Sequence, residues 1–247
     1  MLDDFPLQRV LEFGDLSETE MASLKQLVGL PNACVRQEVI RPQGADPDCI
    51  YLLQAGWACS AVTLPGGERQ LMKIHLPGDF MGVASLCLTA CADSLLALTP
   101  VVVRKLPSDQ FGRAFADVPA LAGRFYLIAQ RERIALMDRL SVIGAKRATG
   151  RLAALLLELR ERLDQIGQAD DDEFVLRLTQ DEIGDYLGLT AVHVNRTFRQ
   201  LEDGNLISRR LQRIKLLNRQ ALVELSGYVS RSVDNSRLSL FSGAGQG

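Results

Sequence analysis

Two apolar stripes at helical spacing stand close together near the C-terminal end of the chain. One lies within residues 183–187, and the other repeats at i, i+4 and i+7 from Val194 to Leu201. Gly188 separates them, and glycine accepts the left-handed conformation that ends a helix. Two short helices joined by a glycine-bearing turn form a helix-turn-helix, so we predict this motif over residues 178–207.

Polar residues mark the predicted ends of both helices. Thr179 is followed three residues later by Glu182, which is the pattern of a capping box. Thr190 is placed to cap the second helix, and Gly204 to end it. In a DNA-binding helix-turn-helix, the early residues of such a second helix lie against base edges in the major groove.

The polar face of this second helix carries side chains that recognise bases and phosphates. Arginine bonds two acceptors of guanine, and asparagine pairs with adenine. From residue 191 to 219 there are seven basic and two acidic residues, which suits phosphate contact although the whole chain has a net charge of −2. The predicted DNA-contacting residues are Thr190, Val192, His193, Asn195, Arg196 and Arg199. An ordinary solvated helix pair is the open alternative.

Two short apolar runs follow this motif and flank a basic segment. Leu206–Ile207 and residues 214–217 predict the strands of a hairpin with a basic tip from Arg209 to Arg213. A hairpin beside a helix-turn-helix is a wing, whose arginines reach the phosphate backbone. The arginines predicted in this role are Arg209, Arg210 and Arg213. A surface hairpin that is basic for solubility is the alternative.

Between about residues 35 and 107 the pattern changes to short apolar runs cut by glycine and proline. The predicted strands are 39–40, 50–53, 59–64, 70–75, 95–98 and 101–106. Their spacing indicates a sandwich or barrel, and residues 65–67 (Pro-Gly-Gly) mark a hairpin turn. Ser17 and Glu20 predict a capped helix over residues 15–30 ahead of these strands.

Helical periodicity returns in a long segment that begins at Pro119. Its apolar stripe consists of Leu121, Phe125, Ile128 and Ala135. This spacing is coiled-coil-like, with Glu132 as an interruption, and predicts a dimerisation helix; packing on its own β domain is the alternative. Gly144 is predicted to break the helix at a hinge within residues 142–147. A second amphipathic helix is expected over residues 152–163 and an acidic loop over residues 169–173.

Composition narrows the function classes. The chain has 247 residues, 47% of them hydrophobic, and no apolar run of the roughly 20 residues that cross a membrane. Its acidic start lacks the order of a signal peptide, so we expect a cytoplasmic protein. The cysteines are Cys34, Cys49, Cys59, Cys87 and Cys91. Neither they nor the two histidines have zinc-site spacing, and no nucleophile elbow, P-loop or dinucleotide fingerprint occurs, so enzyme chemistry is poorly supported.

Four motifs along the chain have the form of one family's signature. They are LTQDEIGDYLGLT, VNRTFRQLEDGNLI, LPGDFMG (Leu76 to Gly82, with Gly56 upstream) and AKRATGRLAALLLEL. On these motifs, residues 10–226 resemble the Crp/Fnr family of bacterial transcription regulators. The resemblance implies a homodimer with an N-terminal sensor and a C-terminal reader of a palindromic operator in double-stranded DNA. RNA polymerase is a further expected partner, and no membrane is involved.

The patterns and the resemblance together predict an α+β fold. It has an N-terminal antiparallel β roll of the jelly-roll type, a long dimerisation helix and a C-terminal winged helix-turn-helix. The expected domains are 1–116 for the sensor β roll with flanking helices, 117–143 for the dimerisation helix, 144–229 for the DNA-binding domain and 230–247 for a disordered tail rich in serine and glycine.

The predicted ligand pocket departs from the cyclic-AMP-binding members of that family. Its residues are Gly78, Asp79, Phe80, Met81, Gly82 and Val83. Those members hold the ribose with a Glu shortly after Phe-x-Gly and the phosphate with an Arg-Ser pair. Here Val83 occupies the first position, and Cys91 and Ala92 lie near the second. Without a cation the phosphate loses its charge-assisted bonds, so cyclic AMP is not expected to bind in the usual manner.

Other known cofactors of the family are not indicated, and the effector is unknown from sequence. No cysteine precedes Cys34, so the N-terminal cluster of the iron–sulfur sensors is missing. Cys87 and Cys91 form either a redox pair or, as we favour, small buried side chains. His75 is the only histidine available as a haem ligand in the sensor region, and a polar residue on a strand is its alternative role.

The recognition helix departs from the family as well. Many members read C and G with a Glu and an Arg, but Val192 stands at the Glu position and can touch only a thymine methyl. Arg196 matches the Arg and is predicted to read guanine, Asn195 and His193 to read neighbouring bases, and Arg199 to hold phosphate. The competing hypothesis is a small-molecule-binding β roll whose helical domain is a protein-interaction module.

Overall fold

The computed structural model describes residues 6–233, and the fourteen residues from 234 that end the predicted tail lie outside them. Contacts divide the chain into two compact units. The first combines the chain up to Val62 with Ile74–Arg133, and the second combines Thr63–Lys73 with Ile134–Arg231. Among residues 6–233, no helix is both long and apolar enough to cross a membrane.

Two four-stranded sheets build the β region. The strands are β1 Pro31–Cys34, β2 Val39–Arg41, β3 Cys49–Ala55, β4 Ala58–Thr63, β5 Arg69–His75, β6 Phe80–Met81, β7 Ser94–Ala97 and β8 Val101–Pro107. One sheet has the order β1-β8-β3-β6 and the other β2-β7-β4-β5. All six predicted strands are present. The two that the pattern missed, β1 and β6, are an exposed edge strand and a two-residue strand, and neither shows apolar alternation.

Four α-helices begin within the first unit, and the last of them, α4, continues into the second. They are α1 Gln8–Leu11, α2 Glu18–Leu27, α3 Ser108–Asp117 and the long α4 Pro119–Ala145. Phe125 of α4 packs edge-on against Phe80 and Phe111, with ring centroids 4.7 Å and 4.8 Å apart. Leu121 and Ile128 belong to the same buried cluster. Three of the four residues predicted as a dimer seam therefore pack inside the protomer, because the phenylalanines of the β roll and α3 cover them.

The helix breaks within the predicted hinge region, residues 142–147, but not at Gly144. Gly144 lies inside α4, which continues to Ala145, and the break falls at Lys146 and Arg147 before α5. A single glycine lowers helix stability by only about 1 kcal/mol relative to alanine, so 27 residues of helix tolerate it.

The second unit is a helical domain with a small sheet. Its elements after α4 are α5 Ala148–Asp164, β9 Ala169–Asp170, β10 Glu173–Val175, α6 Gln180–Leu187, α7 Ala191–Asp203, β11 Ile207–Arg210, β12 Arg213–Leu216 and α8 Arg219–Ser226. The strands form one sheet in the order β11-β12-β10-β9. The predicted acidic loop is a tight hairpin instead, in which Asp171 takes a φ of 50°. Aspartate is among the few residues that adopt this conformation readily.

Candidate nucleic-acid interface and sensor pocket

Reciprocal hydrogen bonds begin the first helix of the helix-turn-helix where the sequence predicts. The backbone N–H of Glu182 donates to Oγ1 of Thr179 at 3.2 Å, and the N–H of Thr179 donates to the Glu182 carboxylate at 2.8 Å. The capping box therefore satisfies two donors that a helix start otherwise leaves unpaired.

The turn between α6 and α7 depends on two glycines. Gly188 ends α6 with a φ of 68°, and the N–H of Leu189 donates a hydrogen bond to the carbonyl of Gly184 at 3.0 Å. A Cβ at Gly184 would lie 2.4 Å from the backbone oxygen of Leu189. Only glycine at position 184 allows the turn to approach the helix this closely.

Replacing Gly184 by alanine is expected to destabilise the second unit by about 1–3 kcal/mol, because either the turn or the helix must shift. Gly112 of α3 is the matched control. It is also helical but has open space around its would-be Cβ, so Gly112→Ala should stabilise by roughly 0.5–1 kcal/mol. Urea unfolding of the two variants measures the change in the free energy of unfolding and its sign. If Gly184→Ala does not destabilise the protein, the close approach of the turn to α6 is contradicted.

The second helix, α7, turns its predicted contact residues outward. Thr190 caps it by accepting from the N–H of His193 at 3.2 Å. Val194 and Phe198 are buried and fix its inner face, whereas Val192 is 82% exposed. The remaining predicted contacts are partly or fully exposed: His193, Asn195, Arg196 and Arg199. One face of the helix therefore presents all of the base-contact candidates.

The wing forms as predicted, but its arginines are not equivalent. Arg209 stacks over the ring of Phe198 at 4.4 Å and makes two bonds to the carboxylate of Glu202, at 2.9 Å and 3.1 Å. These contacts use the guanidinium of Arg209 to brace the wing against α7. They could not be read from the sequence because they require the final hairpin geometry.

The tip of the wing also differs from the basic tip that was predicted. The turn residues are Leu211, which is fully exposed with a φ of 57°, and Gln212. Arg210 is exposed at the end of β11, and Arg213 begins β12 and pairs with Glu173 at 3.2 Å. The cations of the wing therefore lie on its strands, next to the turn.

A groove of about 620 Å³ lies between the start of α5 and the outward face of α7. It is lined by Arg147, Ala148, Thr149, His193, Arg196 and Gln200. Sequence reasoning missed the lining residues from α5 and Gln200. Arg147 and Thr149 at the start of α5 were a local signal, but nothing local places them beside α7, which begins more than 40 residues later in the chain.

The predicted ligand-pocket residues divide into two groups. The carboxylate of Asp79 accepts from the N–H of Leu76 at 3.0 Å and from Arg9 at 2.9 Å. Phe80 and Met81 are buried in strand β6, so these side chains belong to the core. Gly78 and Gly82 have positive φ values, and Gly82 and Val83 are partly exposed. Only the Gly82 end of the segment is thus open to a ligand.

Of the residues considered for cofactors, His75 and Cys91 are buried, but the expected burial of Cys87 is wrong. His75 is buried, and its Nε2 lies 2.9 Å from Oγ of Ser60. Cys91 is buried, and burial raises the pKa of its thiol, whereas Cys87 is exposed. A raised pKa disfavours the reactive thiolate, in line with a packing role for Cys91.

Comparison with known proteins covers both units. Residues 33–117 match the model of the cyclic nucleotide-binding domain, and residues 150–225 match the Crp-like helix-turn-helix domain. The chain is 32% identical over 188 residues to the transcriptional regulatory protein btr of Bordetella pertussis, covering 75% of this chain and 76% of btr. It is 26% identical over 212 residues to the fumarate and nitrate reduction regulatory protein of Yersinia pestis, covering 86% and 84%.

A solved structure gives the same result at the level of the fold. FixK2 from Bradyrhizobium japonicum superimposes with a TM-score of 0.74 at 26% identity, over 83% of this chain and 100% of FixK2. The β roll, the long helix and the winged helix-turn-helix occur in the predicted order. The chain therefore belongs to the Crp/Fnr family of DNA-binding transcription regulators.

Proposed function

We propose that this chain acts as a homodimer that reads a palindromic operator through α7. The observation that carries the proposal is an outward row opposite the buried stripe that fixes the orientation of the helix. In this row Val192, Arg196 and Arg199 are exposed and Asn195 is half-buried. Arg196 is central because it belongs both to this row and to the groove beside α5. We assign it to a guanine, and the neighbouring polar residues to adjacent bases.

The groove supports a phosphate contact beside the base-reading face. Arg147 and Thr149 lie at the start of α5, whose first N–H groups carry partial positive charge. A DNA phosphate held there would fix the register of α7 without reading sequence. Arg199 and the exposed Arg210 of the wing extend the same basic surface, whereas Arg209 is already engaged by Glu202.

An exposed apolar row on α4 supports dimerisation. It consists of Tyr126, Ile134, Met137 and Leu140, all more than 40% exposed. Ile134, Met137 and Leu140 repeat every three residues, and Tyr126 lies eight residues earlier, so the row follows one side of the helix. Its burial against a second copy is favourable by about 25 cal/mol per Å² of apolar surface. Regulators of this family act as dimers, and this row replaces the seam that the sequence predicted.

The substitution Met137→Glu is expected to convert the dimer into a monomer. A charge at the centre of the row is left unpaired and desolvated, which costs several kcal/mol and raises the dimer dissociation constant at least about tenfold. Sedimentation velocity measures the change. Leu30→Glu is the control, because Leu30 is 88% exposed in the segment between α2 and β1, is not part of this row, and its replacement should leave the dimer intact. An unchanged Met137→Glu dimer would exclude this face.

The β roll carries the sensing part of the proposal. Cyclic AMP in the usual manner is disfavoured because Val83 offers no carboxylate for a ribose and Ala92 no cation for a phosphate. Any effector acts by favouring one arrangement of the two recognition helices over another. RNA polymerase is the proposed partner once the operator is bound.

Selection of genomic DNA fragments by the purified protein tests the proposal. Sequencing of the captured fragments should show one palindrome with half-sites about one helical turn apart. Binding to that duplex should weaken steeply with salt, because phosphate contacts release counterions. Capture of random fragments with a flat salt dependence would instead favour the protein-interaction module.

A further inference from the structure

A buried arginine in β2 has donors that no described part of the chain satisfies. Arg41 is only 3% exposed. Its Nη2 donates to the backbone carbonyl of Asp93 at 3.0 Å and to the carboxylate of the same residue. Its Nε and Nη1 are buried and have no hydrogen-bond partner within residues 6–233. Unsatisfied donors on a buried charge are costly, so an acceptor from outside residues 6–233 would stabilise this arginine.

The free Nη1 of Arg41 faces the Gly82 end of the predicted ligand pocket. Gly82 has a φ of 85°, and a Cβ there would lie 2.4 Å from Nη1 and 3.8 Å from Cδ1 of Leu95. Glycine is therefore required both by the backbone and by the guanidinium. Because Gly82 is partly exposed, the guanidinium lies immediately beneath the surface.

A short 3-10 helix, Val83–Cys87, follows Gly82 and is tied to the same ion pair. Ser85 is buried; its Oγ donates to the Asp93 carboxylate at 3.4 Å and accepts from the N–H of Ala92 at 3.2 Å. The Asp93 side chain is partly exposed to solvent. One carboxylate thus joins Arg41 to the 3-10 helix after Gly82, and it is the acceptor with which an entering anion would share the guanidinium.

We propose that Arg41 binds a small oxyanion, a phosphate or carboxylate group, on its Gly82 side. The cation comes from β2 and not from the loop at residues 91–92. Arginine suits this role because its planar guanidinium forms charge-assisted bonds to both kinds of group. The anion must be small, because the Gly82 backbone and the buried Leu95 and Met81 close the interior behind it. This site is independent of the proposed DNA contacts, since it lies wholly within the first unit.

The test is a titration of the isotope-labelled full chain with inorganic phosphate and, separately, with acetate. The amide resonances of Gly82 and Val83 report on the site and not on anions bound at the DNA interface. We expect saturable shifts with at least one anion. Arg41→Gln should weaken the response at least about tenfold, and Arg113→Gln, which changes an exposed arginine, should leave it unchanged.

A second variant keeps the test decisive if Arg41→Gln fails to fold. Asp93→Asn removes the competing charge but keeps an acceptor, so it should tighten anion binding. Amides that respond to neither anion would mean that water alone occupies the free donors, and that result overturns the site. A response that Arg41→Gln and Asp93→Asn leave unchanged overturns it as well. Operator binding of the same wild-type sample is measured in parallel, so failure of this site and failure of the proposed function are distinguishable.

Discussion

Replacing Arg196 by alanine is expected to weaken operator binding by about 1–3 kcal/mol per subunit and to relax the preference at one base pair of each half-site. The guanidinium of Arg196 is exposed and makes no ion pair within residues 6–233, so its donors are available to a guanine. Arg209, in contrast, is already paired with Glu202. Loss of the bidentate contact lowers discrimination as well as affinity, because only guanine accepts both hydrogen bonds from the arginine.

Competition between operator and random duplex measures this effect, and Arg199→Ala is the matched control. Arg199 lies one turn further along the same exposed face and is assigned to phosphate. Its removal should weaken binding to all sequences about equally and reduce the salt slope by about one. If the Arg196→Ala protein still discriminates between operator and random DNA as well as wild type, Arg196 does not read a base.

Replacing Arg124 by alanine is expected to destabilise the first unit by about 3–5 kcal/mol. Arg124 of α4 is 2% exposed, and its Nε donates to the carboxylate of Glu20 at 2.6 Å. Its Nη atoms donate to the carbonyls of Val10, Gly14 and Asp15. The variant leaves a buried carboxylate without its cation and three carbonyls without a donor, and urea unfolding at neutral pH measures the loss.

The same pair predicts how this loss depends on pH. Burial alone raises the pKa of Glu20, but the bonds from Arg124 and Ser17 outweigh burial and lower it. A folded-state pKa below the unfolded value of about 4.3 gives stability that is present above that pH and lost as the pH falls through the folded pKa. Without Arg124, burial favours the protonated acid. The difference between wild type and Arg124→Ala should therefore be largest near neutral pH and shrink below about pH 4.

Arg113→Ala is the control for the buried pair. Arg113 pairs with Asp109 at 3.1 Å, but both side chains are mostly exposed, so its removal should change stability by only about 0–1 kcal/mol. Equal losses for the two variants would show that the buried pair contributes no more than the exposed one, and a loss for Arg124→Ala that does not depend on pH would show that Arg124 acts through packing alone.

Signals that span only a few residues predicted their structures correctly. Thr179 and Glu182 form the capping box of α6, and Ser17 and Glu20 form that of α2. Thr190 caps α7 with its side chain alone, by accepting from the N–H of His193. In each case the donor and the acceptor are three residues apart, so the bond depends on the local helix geometry and on little else.

Signals that depend on distant partners were misread or missed. The stripe of Leu121, Phe125 and Ile128 has the spacing of a dimer seam, but Phe80 and Phe111 bury it within the protomer. Periodicity shows which residues share a helix face and not which surface covers that face. The dimer candidate is instead an exposed row that includes Met137.

The roles of the charged residues also depend on partners that are distant in sequence. The sequence shows that arginines are abundant in the wing, but only the folded hairpin places Arg209 over Phe198 and against Glu202. Nothing near Arg41 in the sequence indicates that it is buried and paired, because its partner Asp93 is 52 residues away. An isolated arginine reads as a surface charge until its burial is known.

The sequence by itself determined the order of the β roll, the long helix and the winged helix-turn-helix, the ends of the capped helices and the outward face of α7. These follow from periodicity, glycine and capping bonds, which act over one or two turns of chain. Tertiary structure decided which face of α4 stays open, which arginines remain available for DNA and which buried cation lies beside Gly82. Those outcomes depend on burial and on contacts between residues far apart in sequence, and such contacts exist only once the chain has closed around its cores.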